Sequence, residues 1–267
     1  IGVGLVGSEM CIRDRVISMP MNTGFMVIVD ISGYTSFIKA HSKSKKSNFI
    51  KKIIDKINDG HGEHIISDLL ETVINELDGT LTINKLEGDA ALFYSLPLNS
   101  KEFSIQLINK LLKSINSFNK RINELLFVQS CPCSPCNEMV NLKLKCFVHY
   151  GDLLIKKIRT FEEIAGENVI ILHRLMKNSI LTNEYILFTE QASKVSKIEI
   201  LENLEKRTEK IDDFGKLNIN VFYPSGNKIE FKKPSLRFKI QNFFKMQKYF
   251  WNRKKEKDLK EKFIKST

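Results

Sequence analysis

Residues 25–35, with the sequence FMVIVDISGYT, decide how the rest of the chain is interpreted. Five apolar residues in succession lead to Asp30, and small hydroxyl residues and a glycine follow it. A short apolar run that ends at turn-forming residues is typical of a buried β-strand. The Ser-Gly pair after it predicts the exit into a turn or a helix. Asp30 is therefore expected at the end of a core strand.

A second stretch, residues 83–93 with the sequence INKLEGDAALF, predicts a β-hairpin. Two alternating apolar segments flank a Glu-Gly pair, and glycine suits the tight turn of a hairpin. Asp89 follows that turn directly. Pairing of this hairpin with the first strand would place Asp30 and Asp89 at one end of the sheet. On these residues alone, a strand end and a turn residue remain as good an interpretation as a shared site.

A shared site would have a definite chemistry. Two carboxylates that are held close together repel each other unless a cation lies between them. Oxygen ligands suit Mg²⁺ or Mn²⁺, and water and substrate phosphates usually complete the coordination of these ions. The pair of aspartates therefore predicts a site for a divalent cation and a phosphate-bearing ligand.

Four segments resemble motifs of the class III adenylate and guanylate cyclases. They are residues 29–35 (VDISGYT), 85–90 (KLEGDA), 143–151 (KLKCFVHYG) and 163–175 (EIAGENVIILHRL), in the same order as in that family. The resemblance implies an α+β fold, a ferredoxin-like nucleotidyl-cyclase fold with an antiparallel-rich sheet and helices on one face. The variant motifs and a Cys-x-Cys-x-x-Cys loop resemble an uncharacterised bacterial branch of this superfamily.

The resemblance also implies a metal and phosphate site. Asp30, Ile31 and Asp89 would bind two divalent ions, one activating the ribose 3′-hydroxyl and the other holding the phosphates. Backbone N–H groups at the start of a helix suit phosphate binding. The further nucleotide-binding residues that the resemblance implies are Ser32, Gly33, Tyr34, Thr35 and Gly88.

Residues that would contact the rest of the nucleotide depart in part from the family. By resemblance, Lys85 and Glu163 would contact the base, with Lys85 favouring ATP, whereas a solvated strand lysine is the alternative interpretation. Arg174 would stabilise charge on the α-phosphate, or be an ordinary surface arginine. Ile170 replaces a cyclase asparagine and cannot orient a ribose. Glu87 is expected near the aspartates, to bind metal or cap the turn.

Three functions follow as alternatives. The first is a homodimeric purine nucleotidyl cyclase that converts ATP to cyclic AMP, and the retained Asp30, Asp89 and Arg174 favour it. The second is a catalytically degenerate nucleotide- or metal-binding module for sensing or dimerisation, which Ile170 favours. The third is a zinc-stabilised interaction domain that uses the C-terminal tail.

The cysteines suggest a metal of another kind. Cys131, Cys133 and Cys136 fall within six residues, and Cys146 follows on the next predicted strand. This set can form a tetrahedral Zn²⁺ site, with His149 as an alternative fourth ligand. Reduced thiols in a loop are the competing interpretation, since disulfides are rare in the cytosol. Three other histidines are interpreted as surface or dimer-facing residues: His41, His61 and His64.

Local patterns predict the remaining elements. Apolar residues recur at helical spacing within residues 33–77 and 100–127. Residues 142–158 predict an antiparallel pair that turns at residues 150–152. The charged stretch 199–213 predicts a surface connection between strands.

The positive charge of the chain is concentrated at its C-terminal end. The net charge is +11, and residues 228–267 alone carry 12 Lys and 2 Arg against 4 acidic residues. The nearly neutral remainder argues against a nucleic-acid-binding domain. The tail is interpreted as a basic amphipathic helix that contacts an anionic membrane surface or a partner protein, or else packs back on the domain.

Domain limits follow from the same inspection. Residues 21–224 are expected to form the cyclase-like domain. Residues 1–18 lack helical or strand periodicity and resemble a translated sequencing-adapter sequence, so they are interpreted as a non-native leader. Neither a secretion signal nor an apolar run of about 18 residues is visible, which predicts a cytoplasmic protein.

Overall fold

The computed structural model describes residues 21–44, 61–128 and 134–224, together with the single residues 237 and 240. Within these residues eight strands form one sheet, in the order β2-β3-β1-β4-β6-β8-β7, with β5 paired to β4. The strands are β1 Met21–Ser32, β2 Thr82–Glu87, β3 Ala90–Ser95, β4 Lys143–Ile158, β5 Phe161–Ala165, β6 Tyr185–Thr189, β7 Glu205–Ile211 and β8 Gly215–Phe222.

Helices connect these strands. The α-helices in the described part of the chain are α1 Tyr34–Ser44, α2 His61–Leu77, α3 Ser100–Val128, α4 Glu167–Leu175 and α5 Glu190–Val195. Short 3₁₀ helices span Ser134–Asn141 and Ile198–Ile200. The predicted helical stretch 33–77 thus contains α1 and α2, and its residues 45–60 lie outside the described residues.

Strand β1 is the centre of the sheet. It pairs antiparallel with β3 on one side and with β4 on the other. Its residues 25–29 are fully buried because helices or loops cover both faces of the sheet at this point. This explains why the sequence is a continuous apolar run and not an alternating one.

The two faces of β1 face different hydrophobic clusters. Phe25 and Val27 belong to the cluster under α1, α2 and α3, whereas Met26 and Ile28 belong to a second cluster that contains the apolar residues of α4. The three long helices therefore share one face, as expected. The short helix α4 covers the other face, which the sequence did not predict.

Two predictions of local structure are wrong. Strand β4 does not turn at residues 150–152 but continues through them, with Gly151 paired to Gly24 of β1. A Cβ atom at Gly151 would lie 2.7 Å from the side chain of Asn168, so this glycine permits close packing of α4. The chain instead reverses near Arg159, where φ is 57°, and β5 pairs back onto β4.

The second wrong prediction concerns residues 199–213. They contain strand β7, which pairs with β8 at the edge of the sheet. Most β7 side chains are exposed, and Glu209 and Ile211 are buried. An edge strand with one solvated face accommodates charges that a central strand would exclude, and this is why the charged sequence concealed it.

The predicted leader at residues 1–18 lies outside the described residues. The tail at residues 228–267 does too, apart from positions 237 and 240. Both therefore remain predictions. None of the helices in the described part of the chain has the length and apolarity that a membrane span needs.

Candidate functional site

The end of β1 and the β2–β3 turn meet at one edge of the sheet. Asp30 is opposite Ala90 in the β1–β3 register, and the Ile31 N–H donates a hydrogen bond to the Asp89 carbonyl at 3.1 Å. Gly88 has a φ of 69°, which glycine adopts without strain and which allows the tight turn before Asp89. The structure thus brings Asp30 and Asp89 to the same end of the sheet.

Both carboxylates are costly to ionise in the folded chain. Burial raises the pKa of Asp30 from its ordinary value of 3.8 to about 6, the charge of Asp89 adds to this, and the charge of Lys145 opposes it. Burial also raises the pKa of Asp89, with a further contribution from Glu63, while a backbone hydrogen bond opposes the rise. Such a pair is relieved either by a proton or by a cation. The residues therefore fit a divalent cation.

Glu63 is a third acid of this site that the sequence did not identify. It lies in the first turn of α2, and the Tyr34 hydroxyl donates a hydrogen bond to its Oε1 atom at 3.1 Å. Burial first, and then the Glu63 carboxylate, raise the pKa of Tyr34. No local pattern distinguishes Glu63 from any other acid at a helix start, because only the packing of α2 beside α1 brings it near.

The remaining residues of the predicted phosphate site surround the start of α1. Ser32 is buried, and its hydroxyl donates to the Asn183 side-chain oxygen at 3.2 Å. Gly33 has a φ of 91° and forms the turn into α1. Thr35 is exposed in the first turn of that helix. The backbone of this turn thus follows Asp30 directly, as the motif implies.

A second charged group lies on β2 and β5. The Lys85 ammonium is 2.8 Å from Glu87 Oε1 and 3.2 Å from Glu163 Oε1. The pKa of Lys85 is raised, mainly by its hydrogen bond to Glu87. Lys85 and Glu163 are therefore neighbours. Glu87 contacts Lys85 and lies 3.5 Å from His173 Nδ1. Its carboxylate is thus directed to these two residues, whereas the sequence analysis expects it near the aspartate pair.

Arg174 lies on the outer surface of α4. Its Nη2 atom is 3.5 Å from the Asp213 carboxylate in the turn between β7 and β8. Ile170 is four residues earlier on the same helix face and is 50% exposed. Among the described residues, no hydrogen bond or ion pair joins Arg174, the Lys85 group and the aspartate pair. One chain therefore presents three separate groups.

Of the predicted cysteine ligands, Cys136 and Cys146 belong to the described residues. Cys131 and Cys133 lie outside the described residues. Cys146 is fully buried in β4, and burial raises the pKa of its thiol. His149 is also buried, and its ring nitrogens lie 2.8 Å from Thr189 Oγ1 and 2.8 Å from Asn168 Oδ1. Its hydrogen bonds therefore argue against a ligand role for His149.

Cys136 instead contacts two histidines. Its Sγ atom lies 3.2 Å from His61 Nε2 and 3.5 Å from His41 Nε2. His41 and His61, which the sequence analysis interprets as surface or dimer-facing residues, are both half-buried beside this thiol. His64 is exposed, in agreement with the prediction.

Two sequence comparisons match parts of the chain. A family described as "Protein of unknown function (DUF2652)" matches residues 66–185. An uncharacterized protein of Mycobacterium tuberculosis is 31% identical over 125 residues, which are 47% of this chain and 57% of the relative. The chain thus aligns with little more than half the length of that relative.

Solved structures extend the likeness over most of the chain. The adenylyl cyclase CyaB from P. aeruginosa superimposes with a TM-score of 0.55 and 12% identity, over 79% of this chain and 98% of that one. The guanylate cyclase domain of RhGC from Catenaria anguillulae, solved in complex with GTP, gives a TM-score of 0.50 and 12% identity, over 76% and 98%. The predicted fold class is confirmed: the chain has the α+β fold of adenylyl and guanylyl cyclase domains.

Proposed function

We propose that this protein is a nucleotidyl-cyclase-like enzyme that binds a purine nucleotide with divalent ions at Asp30 and Asp89 and converts ATP to cyclic AMP. The meeting of these two half-buried carboxylates, with the pKa of Asp30 raised to about 6, is the observation that carries the proposal. Perturbed carboxylates in a cleft or at a sheet edge are typical of functional sites. The fold shared with cyclases supports this choice of ligand.

The metal site would consist of the two aspartates and the backbone carbonyl of Ile31. Bound Mg²⁺ or Mn²⁺ would supply Lewis-acid activation of the ribose 3′-hydroxyl and neutralise phosphate charge. Within the chain, Lys145 opposes the negative charge at Asp30, and Glu63 increases it at Asp89. The net negative potential at this edge favours a cation with more than one charge.

The base and phosphate groups would come from a second subunit. Lys85 with Glu163 offers a cation and an acceptor to a purine edge, and Arg174 offers a planar fork to a phosphate. In the part of the chain that the structure describes, no hydrogen bond or ion pair joins these groups to the aspartates of their own chain. A homodimer would bring them opposite the partner's aspartates and complete the site.

Exposed apolar side chains support such a dimer. They belong to β2, to the β4–β5 hairpin and to α4, which are the elements that carry Lys85, Glu163 and Arg174. Asn84 donates to the Glu162 carbonyl at 3.2 Å, which joins β2 to this hairpin. An apolar surface that surrounds a charged group is typical of a protein interface. The residues and their exposed fractions are Leu86 59%, Ile158 64%, Phe161 77% and Ile170 50%.

A second function is favoured by Ile170. This apolar side chain is on the same face of α4 as Arg174, and it cannot hydrogen-bond a ribose. The alternative is therefore a catalytically degenerate module that binds a metal–nucleotide complex and responds by dimerising. It uses the same aspartates but forms no product.

The test measures cyclic-nucleotide formation from ATP and GTP by the full chain with Mn²⁺. We expect product from ATP that falls by about 100-fold or more in Asp89→Asn, because a ligand of the divalent ions is lost. The exposed Asp212→Asn is the matched control and should retain activity. Faster turnover of ATP than of GTP would support the proposed contact of Lys85 with the base.

Other outcomes separate the alternatives. Absence of product, together with Mn²⁺-dependent nucleotide binding that Asp89→Asn abolishes in calorimetry, would overturn the enzyme and support the binding module. Absence of both product and nucleotide binding would overturn both functions.

A further inference from the structure

We propose that His41, His61 and Cys136 form a zinc site, separate from the aspartate site and with a different ligand chemistry. The three residues come from α1, from the start of α2 and from the 3₁₀ helix Ser134–Asn141. Their potential ligand atoms all lie within 4.8 Å of one another. Neither the cyclase-like fold nor the proposed reaction requires them.

The two distances between sulfur and nitrogen match a zinc tetrahedron. Bonds of about 2.3 Å to sulfur and about 2.0 Å to nitrogen, at a tetrahedral angle, separate the two ligand atoms by about 3.5 Å. The Cys136 Sγ atom lies 3.2 Å from His61 Nε2 and 3.5 Å from His41 Nε2. A zinc ion bound to Cys136 and to either histidine would thus need little change in these two distances, and all three ligand atoms already lie within 4.8 Å of one another.

The orientation of His41 is set by the backbone of its own helix. Its Nδ1 atom is 2.8 Å from the Phe37 carbonyl, so Nδ1–H is the donor and Nε2 keeps its lone pair on the side of Cys136. A hydrogen bond of this kind from the second ring nitrogen is typical of metal-binding histidines. It fixes both the tautomer and the direction of the ring.

Gly62 allows the rings to approach. A Cβ atom at this position would lie 3.3 Å from His41 Cγ and 3.3 Å from Ile38 Cδ1, which is tighter than ordinary contact. The ring centroids of His41 and His61 are 4.6 Å apart at an interplanar angle of 75°. A side chain at position 62 would push α1 away from α2 and separate the two nitrogens.

The choice of ion follows from the ligands. A thiolate with two imidazoles suits Zn²⁺, whereas Mg²⁺ and Mn²⁺ prefer the oxygen atoms of the aspartates. The Zn²⁺ charge would also favour the thiolate form of Cys136. Three ligands from the described residues leave a fourth coordination position for water or another donor.

The position of this site in the fold indicates a structural role. A zinc ion at this site would link α1 to α2, and α1 begins directly after the turn that follows Asp30. Glu63 is two residues after His61 and accepts the hydrogen bond from Tyr34 at the start of α1. The zinc would therefore hold in place the segment that bounds the aspartate site.

The test begins with the metal content of the full chain, purified without chelator and measured by mass spectrometry. We expect one zinc ion per chain in the wild type and in the exposed-histidine control His64→Asn. We expect its loss in Cys136→Ser and in His61→Asn. The variant Cys146→Ala distinguishes the two possible cysteine sets and should retain zinc.

A spectroscopic measurement gives an independent result. Replacement of zinc by Co²⁺ should produce tetrahedral absorption bands and a thiolate-to-cobalt charge-transfer band that is absent in Cys136→Ser. Circular dichroism checks that this variant is folded. Wild-type protein that binds neither ion after supplementation, or Cys136→Ser that retains zinc as the wild type does, would overturn the proposal. Asp89→Asn should retain zinc, which separates this result from the test of cyclase activity.

Discussion

The aspartate pair at the end of β1 and the Lys85 group on β2 and β5 differ in how their charges are balanced. Asp30 and Asp89 are like charges, and burial is the main cause of the rise in both pKa values. Lys85 lies between two carboxylates at 2.8 and 3.2 Å in a more open setting. The first group therefore gains from an added cation, whereas a ligand of the second group must displace an ion pair that already exists.

Lys145 does not remove this imbalance. It opposes the charge of Asp30 from the neighbouring strand, but its ammonium also lies 5.7 Å from the centre of the Tyr185 ring. A lysine that interacts with an aromatic face shares its charge between two partners. The difference between the two groups thus predicts opposite responses to neutralising substitutions.

The largest expected effect is on stability in Asp30→Asn. The pKa of Asp30 is higher in the folded chain, at about 6, than its ordinary 3.8, so the folded state binds more protons between these values. The stability of the wild type without divalent ions should therefore fall as pH rises from about 4 to about 6. This difference in pKa corresponds to about 3 kcal/mol at pH 7, and Asp30→Asn should recover most of it.

Urea unfolding at pH 7 and pH 4, in buffer without Mg²⁺ or Mn²⁺, measures this gain. The gain should be present at pH 7 and shrink to a small remainder at pH 4, where Asp30 is protonated in the folded state but still largely ionised in the unfolded state. Asp212→Asn, a substitution of an exposed aspartate, should change little at either pH. A loss of stability in Asp30→Asn at pH 7 would show that the pair is already balanced, and the contrast with the Lys85 group would fail.

The next effect is on metal affinity. A proton on Asp30 competes with Mn²⁺, so the apparent affinity should rise about tenfold per pH unit below pH 6 and level off above it. Calorimetric titration with Mn²⁺ between pH 5 and 7.5 measures this slope, which corresponds to about 1.4 kcal/mol of binding free energy per pH unit. Affinity that does not depend on pH in this range would mean that Mn²⁺ binds elsewhere. Asp89→Asn should weaken binding at every pH.

Much of the fold follows from local sequence patterns. The β2–β3 hairpin and helices α2 and α3 have uninterrupted periodicity and one turn signal each, so short-range rules predict them. The prediction of a chain reversal at residues 150–152 is wrong because a glycine can permit close packing as well as form a turn. Gly151 makes room for Asn168, a contact that depends on where α4 lies.

The candidate site also contains residues that local patterns predict and residues that only the packing of the helices brings together. The sequence alone could predict that Asp30 and Asp89 lie close together, because pairing of the hairpin with the central strand has a defined register. Glu63 and the group of His41, His61 and Cys136 could not be predicted, because the packing of α1 against α2 and the 3₁₀ helix brings them together. Residues this distant in sequence share no period that a pattern could reveal.

A smaller effect is expected at the Lys85 group. Lys85→Met removes the cation while keeping the length of the side chain, and partly exposed ion pairs contribute about 1 kcal/mol or less. Thermal unfolding should therefore shift only slightly, in contrast to Asp30→Asn. The ATP-to-GTP preference of binding or turnover should change, which a functional role requires. Lys216→Met, at an exposed lysine of β8, is the control. A large loss of stability in Lys85→Met would make the group structural.

The smallest effect on stability is expected for Arg174. Its only ion pair among the described residues is with Asp213, at 3.5 Å and with 76% of the Asp213 side chain exposed, so Arg174→Ala should alter stability by no more than about 0.5 kcal/mol. A guanidinium that contacts a phosphate of a nucleotide on the partner subunit would still be needed for turnover, and Arg174→Lys would not replace its planar fork. Loss of turnover in both variants, at unchanged stability, would show that the exposed charges act on the ligand. Full turnover in Arg174→Ala would exclude the phosphate contact of Arg174. The charges needed for turnover would then be those of the aspartate pair.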